Sequence, residues 1–305
     1  MAEFWFIGVT TAGSFSKVCF PRWAEALGRP EVRLVGVDVE IHAPPDRYRS
    51  LVESLLADPE VLGGLVTTHK IDLLAACRDL FDDLGPHARL LGEVSSIAKD
   101  DGRLVGRATD PGAGGDSLDL LLGPDYFGRT GGHVLMLGAG GAAAALTSYL
   151  VSMPDRPERV TVVNRSVGRL DRLAELIAPF DTDIELEFVQ NADPTENDRI
   201  MAGLPDGSVV INATGMGKDT PGSPVTDDAV FPRRGVAWDL NYRGELGFLR
   251  QAHAQHRTRE LAVADGWDYF VRGWTIVMSH VLHVAIDESR AIELSRLAAE
   301  VRGTR

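Results

Sequence analysis

The stretch VLMLGAGGAAAAL at residues 134–146 decides how this chain is expected to fold. Four apolar residues run directly into a glycine-rich turn and then into strong helix formers, which predicts a buried strand, a tight turn and a helix. The turn fits G-x-G-x-x-A, in which glycines allow the bend and the approach of a pyrophosphate, and a small residue lets the helix pack closely. The residues expected to bind a dinucleotide are Gly138, Gly140, Gly141 and Ala142. The alternative is a turn of the same shape without a ligand.

The end of the next predicted strand indicates which dinucleotide binds. An NAD site usually carries Asp or Glu about 20 residues further on, where it binds the ribose hydroxyls. This chain has Asn164-Arg165-Ser166 there, followed by Arg169. No carboxylate repels a 2′-phosphate, and two guanidinium groups can clamp it through charge-assisted hydrogen bonds. We therefore predict NADP, with solvated surface arginines as the alternative.

Strand and helix patterns alternate on both sides of this stretch. Strands are predicted at 4–9, 33–40, 64–68, 134–137, 160–163, 185–189, 208–211 and 236–240. Helices are predicted at 20–27, 47–57, 142–150, 170–177 and, without any proline, 269–301. Such alternation is typical of an α/β fold with mostly parallel sheets, and a length of 305 residues suggests two domains. The Gly-, Asp- and Pro-containing segment 109–115 suits a boundary or the start of a linking helix.

Composition bounds the classes of function. Lys and Arg total 31 against 44 Asp and Glu, and the net charge of −13 argues against nucleic-acid or anionic-membrane binding through net charge. Two cysteines exclude a disulfide framework, and no leader or membrane-spanning pattern is evident. The pairs His253/His256 and His280/His283 lack a third ligand nearby, so no metal site is expected. We expect a cytoplasmic protein whose partner is a small molecule.

Lys70 and Asp110 are candidates for acid–base chemistry. Lys70 follows an apolar run, and Asp110 ends the sequence GRATD at 106–110. A lysine beside a carboxylate near a cofactor can move a proton while hydride is transferred. The spacing alone does not distinguish this pair from a surface salt bridge.

A colinear series of motifs resembles the shikimate dehydrogenase family over nearly the whole chain. The motifs are Ser14-x-Ser16, LVTTHK at 65–70, GRATD at 106–110, the glycine-rich turn, Asn164-Arg165-Ser166, Asn212-Ala213-Thr214, Asp239-x-x-Tyr242 and 266–274. The resemblance implies a substrate domain over 1–111, completed by C-terminal helices in 268–305, and a Rossmann NADP-binding domain over 112–267. It also implies reversible oxidation of a ring hydroxyl to a ketone on a cyclic hydroxy-carboxylate, in aromatic amino acid biosynthesis.

The same resemblance implies roles for individual residues. Lys70 and Asp110 would handle the proton, and Ser14 and Ser16 would bind the substrate carboxylate. The further substrate contacts would be Thr67, Ser95, Tyr242 and Arg272, and Thr214 and Met216 would join the cofactor site. The segment after Thr214 fits the family in two ways, so that either Met216 or Lys218 faces the nicotinamide.

The chain departs from the family's usual residues where ring hydroxyls would be bound. Lys17 replaces a proline, Arg272 replaces a glutamine, and asparagines are replaced by Leu65, Ser95 and Ala108. Loss of a partner for a buried hydroxyl costs about 1–3 kcal/mol, which is enough to change the preferred substrate. We therefore expect a diverged pocket, with shikimate, quinate and aminoshikimate all open.

Two other hypotheses stay open. One is a non-catalytic NADP-binding sensor or regulatory protein of the same fold, and the other is a different two-domain dehydrogenase with the same Rossmann half. The sequence does not indicate an oligomeric state, and a homodimer stays one of the open alternatives.

Overall fold

The computed structural model describes residues 1–218 and 220–303. The strands are β1 Glu3–Gly8, β2 Arg33–Asp38, β3 Val61–Val66, β4 Asp83–Leu84, β5 Ser96–Asp100, β6 Arg103–Arg107, β7 Val134–Leu137, β8 Arg159–Asn164, β9 Glu185–Gln190, β10 Val209–Asn212, β11 Val236–Asp239 and β12 Ala262–Ala264. The helices are α1 Ser16–Ala26, α2 Pro45–Ala57, α3 Lys70–Cys77, α4 Pro86–Leu91, α5 Asp110–Leu122, α6 Tyr126–Thr130, α7 Gly141–Leu150, α8 Val167–Ile177, α9 Pro194–Ala202, α10 Gly247–Arg259, α11 Trp267–Leu282 and α12 Glu288–Gly303. A short 3₁₀ helix covers Arg78–Leu80.

The chain forms two compact units. Unit 1 comprises Met1–Ala113 and Val271–Arg305, and unit 2 comprises Gly114–Phe270. The boundaries fall within α5 and α11, so the segment 109–115 contains the start of a helix. Among the described residues, no helix is both long and apolar enough to cross a membrane.

Unit 1 contains a sheet with the order β2-β1-β3-β5-β6-β4. Strand β1 is parallel to β2 and β3, whereas β5 is antiparallel to both β3 and β6. The antiparallel pairing of β5 with β6 follows from the two-residue turn Asp101-Gly102, in which φ is 47° and 78°. Positive φ at both residues matches the right-handed twist of a hairpin, and Asp-Gly favours such a turn. The expectation of a mostly parallel sheet therefore misses this local hairpin.

An aromatic cluster forms the core of unit 1 beside β1. Phe4 and Phe6 alternate along that strand, so their side chains lie on the same face of the sheet. Trp274 of α11 packs on both of them and on Phe20 and Trp23 of α1, with ring centroids 5.4–6.1 Å apart. The cluster fixes α1 and α11 on the face of the sheet that these rings cover.

Unit 2 contains an all-parallel sheet with the order β12-β11-β10-β7-β8-β9. Counted from β7, this is the 3-2-1-4-5-6 order of a dinucleotide-binding fold, whose strand order reverses between β7 and β10. The strand predicted at 134–137 is β7, and the predicted helix 142–150 begins one residue earlier, at Gly141. The predicted α/β class is confirmed.

The segment 269–301, predicted to be helical, contains two helices. Helix α11 ends at Leu282, and His283 takes a left-handed conformation with φ of 53°. Asp287 then accepts a hydrogen bond from the backbone N–H of Arg290 at 2.9 Å. A side-chain cap of this kind starts a new helix without any proline, so the absence of proline does not imply one continuous helix.

Candidate functional site

Lys70 and Asp110 are in contact in unit 1. Lys70 is the first residue of α3, and Asp110 is the first residue of α5, so each side chain projects from a helix start that follows a strand. The Lys70 ammonium donates a hydrogen bond to Asp110 Oδ2, and the two side chains are 21% and 18% exposed. The pair is partly buried and still accessible, as proton exchange with a bound molecule requires.

Glu93 is a third charged group near this pair, and its role is not evident from the sequence alone. Its side chain is only 3% exposed, and the backbone N–H of the next residue, Val94, donates to the carbonyl of Lys70 at 3.2 Å. Burial lowers the pKa of Lys70, but the charges of Asp110 and Glu93 and the hydrogen bond to Asp110 outweigh it and raise the pKa. Lys70 is therefore an ammonium at neutral pH. The sequence offers one signal for Glu93: its carboxylate lies two residues before Ser95, an expected substrate contact.

Ser16 is the first residue of α1, and Ser14 lies two residues before it in the loop that follows β1. Their hydroxyl oxygens are 2.7 Å apart, and the backbone N–H of Ser16 donates to Ser14 Oγ at 3.3 Å. Ser16 is fully buried. Two hydroxyls at the amino end of an eleven-residue helix form a polar pair suited to a carboxylate.

The other substrate residues expected in unit 1 have distinct surroundings. Ser95 Oγ accepts a hydrogen bond from the backbone N–H of Thr109 at 2.7 Å and contacts Thr109 Oγ1 at 2.8 Å. The hydroxyl of Ser95 is thus already engaged within the protein. Thr67 lies in the loop between β3 and α3, where its carbonyl accepts from the Lys70 N–H at 3.2 Å. Arg272 lies on α11, 3.7 Å from a carboxylate oxygen of Glu288.

The glycine-rich turn of unit 2 has the geometry of a phosphate cradle. Gly138 has φ of 113°, and a Cβ there would lie 2.7 Å from the carbonyl oxygen of Ala213. At Gly140 a Cβ would meet nothing within 4 Å, so that position faces open space. Helix α7 then begins at Gly141 with no side chain capping its amino end. The backbone N–H groups of the first turn of α7, which no side chain caps, can bind an anion.

The end of β8 carries two exposed arginines. Asn164 Nδ2 donates to the carbonyl of Ser166 at 3.3 Å, which shapes the turn between β8 and α8. Arg165 and Arg169 are exposed, and in the described part of the chain neither forms an ion pair. Their guanidinium groups remain available to an anionic ligand.

The segment around Met216 is tied to two buried asparagines. Thr214 donates through its N–H and its hydroxyl to Asn212 Oδ1, at 3.1 and 2.7 Å. The N–H of Met216 donates to the Thr214 hydroxyl, and the carbonyl of Met216 accepts from Asn241 Nδ2, both at 3.1 Å. Lys218 is exposed. Burial raises the pKa of the neighbouring Asp239 to about 6, although hydrogen bonds from the asparagines lower it.

Tyr242, the remaining expected substrate contact, lies in an aromatic group of unit 2. Its ring centroid is 5.4 Å from that of Trp267 and 4.7 Å from that of Phe270.

No cluster of three or more His, Cys, Asp or Glu side chains that could hold a metal occurs within residues 1–218 and 220–303.

Comparisons with known proteins place the chain among dehydrogenases. No protein-family model matches it. It is 32% identical to the shikimate dehydrogenase (NADP(+)) of Symbiobacterium thermophilum over 231 residues, 72% of this chain and 75% of that protein. The crystal structure of shikimate 5-dehydrogenase from Thermus thermophilus, in complex with NADP(H) and shikimate, is 26% identical with a TM-score of 0.72, covering 98% and 100% of the two chains.

A second solved structure shares the fold. Quinate dehydrogenase from Corynebacterium glutamicum, in complex with NAD, has a TM-score of 0.76 at 20% identity and covers 100% of this chain and 99% of its own. The sequence similarity to the curated relative extends over more than two thirds of both proteins. The chain belongs to the shikimate dehydrogenase family.

Proposed function

We propose that this chain is an NADP-dependent dehydrogenase that interconverts a ring hydroxyl and a ketone on a cyclic hydroxy-carboxylate. The observation that carries the proposal is the contact between Lys70 and Asp110, since a non-catalytic sensor has no need of a paired proton donor. The family relationship supports it, because the relative from Symbiobacterium thermophilum is a shikimate dehydrogenase (NADP(+)). Unit 1 would bind the substrate, and unit 2 the cofactor.

The residues of unit 2 fit NADP. Gly138 allows the tight turn, and Gly140 leaves room for a pyrophosphate beside the amino end of α7. Arg165 and Arg169 offer two exposed guanidinium groups to a 2′-phosphate. Position 164 is Asn rather than Asp or Glu, so no carboxylate at the end of β8 repels this phosphate. When bound, NADP supplies the hydride donor and acceptor.

Lys70 moves the proton that accompanies this hydride. In the direction of ketone reduction, the Lys70 ammonium donates its proton to the carbonyl oxygen of the substrate, and bound NADPH would supply the hydride. Asp110 holds the ammonium in place through its hydrogen bond and balances its charge. The raised pKa of Lys70 favours the acid role, because the amine carries its proton at neutral pH before the reaction begins. In the direction of oxidation the neutral amine takes the proton back.

The substrate carboxylate is assigned to Ser14 and Ser16, and the ring to Thr67, Ser95, Tyr242 and Arg272. The hydroxyl of Ser95 already contacts Thr109, so it offers a substrate less than an asparagine amide would. This supports a substrate preference that has diverged from shikimate. The cytoplasmic location and the homodimer stay predictions.

The substrate assignment is tested by following absorbance at 340 nm with NADP⁺ and, in parallel, shikimate, quinate and an aminoshikimate, with NAD⁺ as the comparison. We expect turnover of at least one acid with NADP⁺, and a preference for an acid other than shikimate. Efficient turnover of shikimate alone would contradict the divergence of the pocket. NADP binding without turnover of any acid would favour the sensor.

Replacement of Arg165 by alanine is expected to weaken NADP binding by about tenfold or more and NAD binding little. A hydrogen bond to a charged group is worth about 1.5–3 kcal/mol, and only NADP has the 2′-phosphate that receives it. Dissociation constants measured by nicotinamide fluorescence provide the test, with Arg257→Ala on the exposed face of α10 as the control. Equal weakening of both cofactors would show that the 2′-phosphate lies elsewhere.

A further inference from the structure

Asp239 is the centre of a buried hydrogen-bond network in unit 2. It is the last residue of β11, lies opposite Asn212 of β10 in the parallel register, and is completely buried. Its Oδ1 atom accepts hydrogen bonds from Asn212 Nδ2 at 3.0 Å, from the Asn241 N–H at 2.9 Å and from Asn241 Nδ2 at 2.8 Å. One carboxylate oxygen therefore orients two asparagine side chains.

Both asparagines are linked to the backbone of Met216 by hydrogen bonds. Asn241 Nδ2 donates to the carbonyl of Met216 at 3.1 Å. On the other side, Asn212 Oδ1 accepts from Thr214, whose hydroxyl oxygen accepts from the Met216 N–H at 3.1 Å. The N–H and the carbonyl of a single residue are thus held by two branches that meet at Asp239.

The segment needs such support because glycines flank Met216. Gly215 and Gly217 have φ of 71° and 86°, and glycine gives the backbone its greatest freedom. Ordering a free backbone costs conformational entropy, so binding would be weakened if this segment had to be ordered each time a ligand arrived. Hydrogen bonds on both sides of Met216 order it in advance.

We infer that Asp239 is a positioning residue that holds Met216 in place for the nicotinamide end of the cofactor, acting through Asn212, Thr214 and Asn241. This inference rests on the proposed function. It favours Met216 over Lys218 as the residue that faces the cofactor, because the network bonds both backbone groups of Met216. Asp239 itself does not touch the cofactor.

The decisive comparison is between Asp239→Ala and Asp239→Asn. Alanine removes the oxygen that accepts three hydrogen bonds, whereas asparagine retains an acceptor at that position. Three quantities are measured on each full-length variant: the exchange rate of the Met216 amide without ligand, the dissociation constant of NADP, and the midpoint of thermal unfolding. Thr161→Val, a buried change on β8 outside the network, is the control for general destabilisation of unit 2.

We expect Asp239→Ala to speed Met216 exchange and weaken NADP binding by about tenfold, and Asp239→Asn to restore most of both. Thr161→Val should leave both unchanged even where it lowers the unfolding midpoint. If Asp239→Ala does not fold, Asn241→Ala releases the carbonyl branch alone, and the same two measurements apply. Unchanged exchange and NADP affinity in a folded variant would overturn the inference. Failure of the unaltered protein to bind NADP would refute the proposed function instead, while the exchange measurement would still test the network.

Discussion

Replacement of Lys70 by alanine is expected to lower turnover by about 10²–10⁴-fold, the usual contribution of a positioned acid–base group. The variant loses the only proton donor assigned to the reaction, and Asp110 is left without its partner. NADP binding should stay nearly unchanged, because the cofactor is assigned to residues of unit 2. Turnover is measured at 340 nm with the acid that the unaltered protein uses, and NADP affinity by fluorescence titration.

Lys99→Ala provides a matched control for this prediction. Lys99 is also in unit 1, and its amine donates to the carbonyl of Asp58 rather than to a carboxylate. Its loss should leave turnover within about twofold, since changes away from functional contacts have small effects. Full activity of Lys70→Ala would remove Lys70 from the mechanism and leave Asp110 and Glu93 as the groups to test.

Replacement of Trp274 by alanine is expected to lower the free energy of unfolding by about 3–5 kcal/mol, the range for large aromatic side chains removed from a core. The indole is 3% exposed and contacts four other aromatic rings, so the structure cannot close around the cavity without moving several of them. Urea denaturation followed by circular dichroism measures the loss.

The control is Ile292→Ala on α12. Ile292 is 61% exposed, and its truncation should change the free energy of unfolding by less than about 0.5 kcal/mol. A loss below about 1 kcal/mol for Trp274→Ala would mean that the aromatic cluster contributes little to the stability of unit 1.

Much of unit 2 could be predicted because its signals are local. The run that forms β7, the glycines that follow it and the helix formers of α7 are consecutive, so one stretch of sequence contains the strand, the turn and the helix start. The antiparallel hairpin of unit 1 was missed although Asp101-Gly102 is also a local signal. The direction of β6 relative to β5 depends on this one turn, which the alternation of strands and helices does not reveal.

The site was less predictable because its contacts join distant residues. Lys70 and Asp110 are 40 positions apart, and their contact depends on the helix starts that follow β3 and β6. Burial of Glu93 beside Lys70 and the convergence of two asparagines on Asp239 are likewise products of packing. Residue types and spacing carry no information about which buried side chains face each other, and only the family resemblance could suggest the pairs.

The contact between Ser14 and Ser16 has a consequence for how tightly a carboxylate can be held. Before a ligand arrives, the two hydroxyls are 2.7 Å apart and hydrogen-bonded to each other. A bound carboxylate would therefore replace this hydrogen bond, and its own bonds to the serines are not all a net gain. The gain in affinity is the difference between a neutral and a charge-assisted bond. With the substrate carboxylate assigned to these serines as proposed, the anchor is expected to discriminate by charge: an ester or amide of the same acid would gain only neutral hydrogen bonds in exchange for the one between the serines.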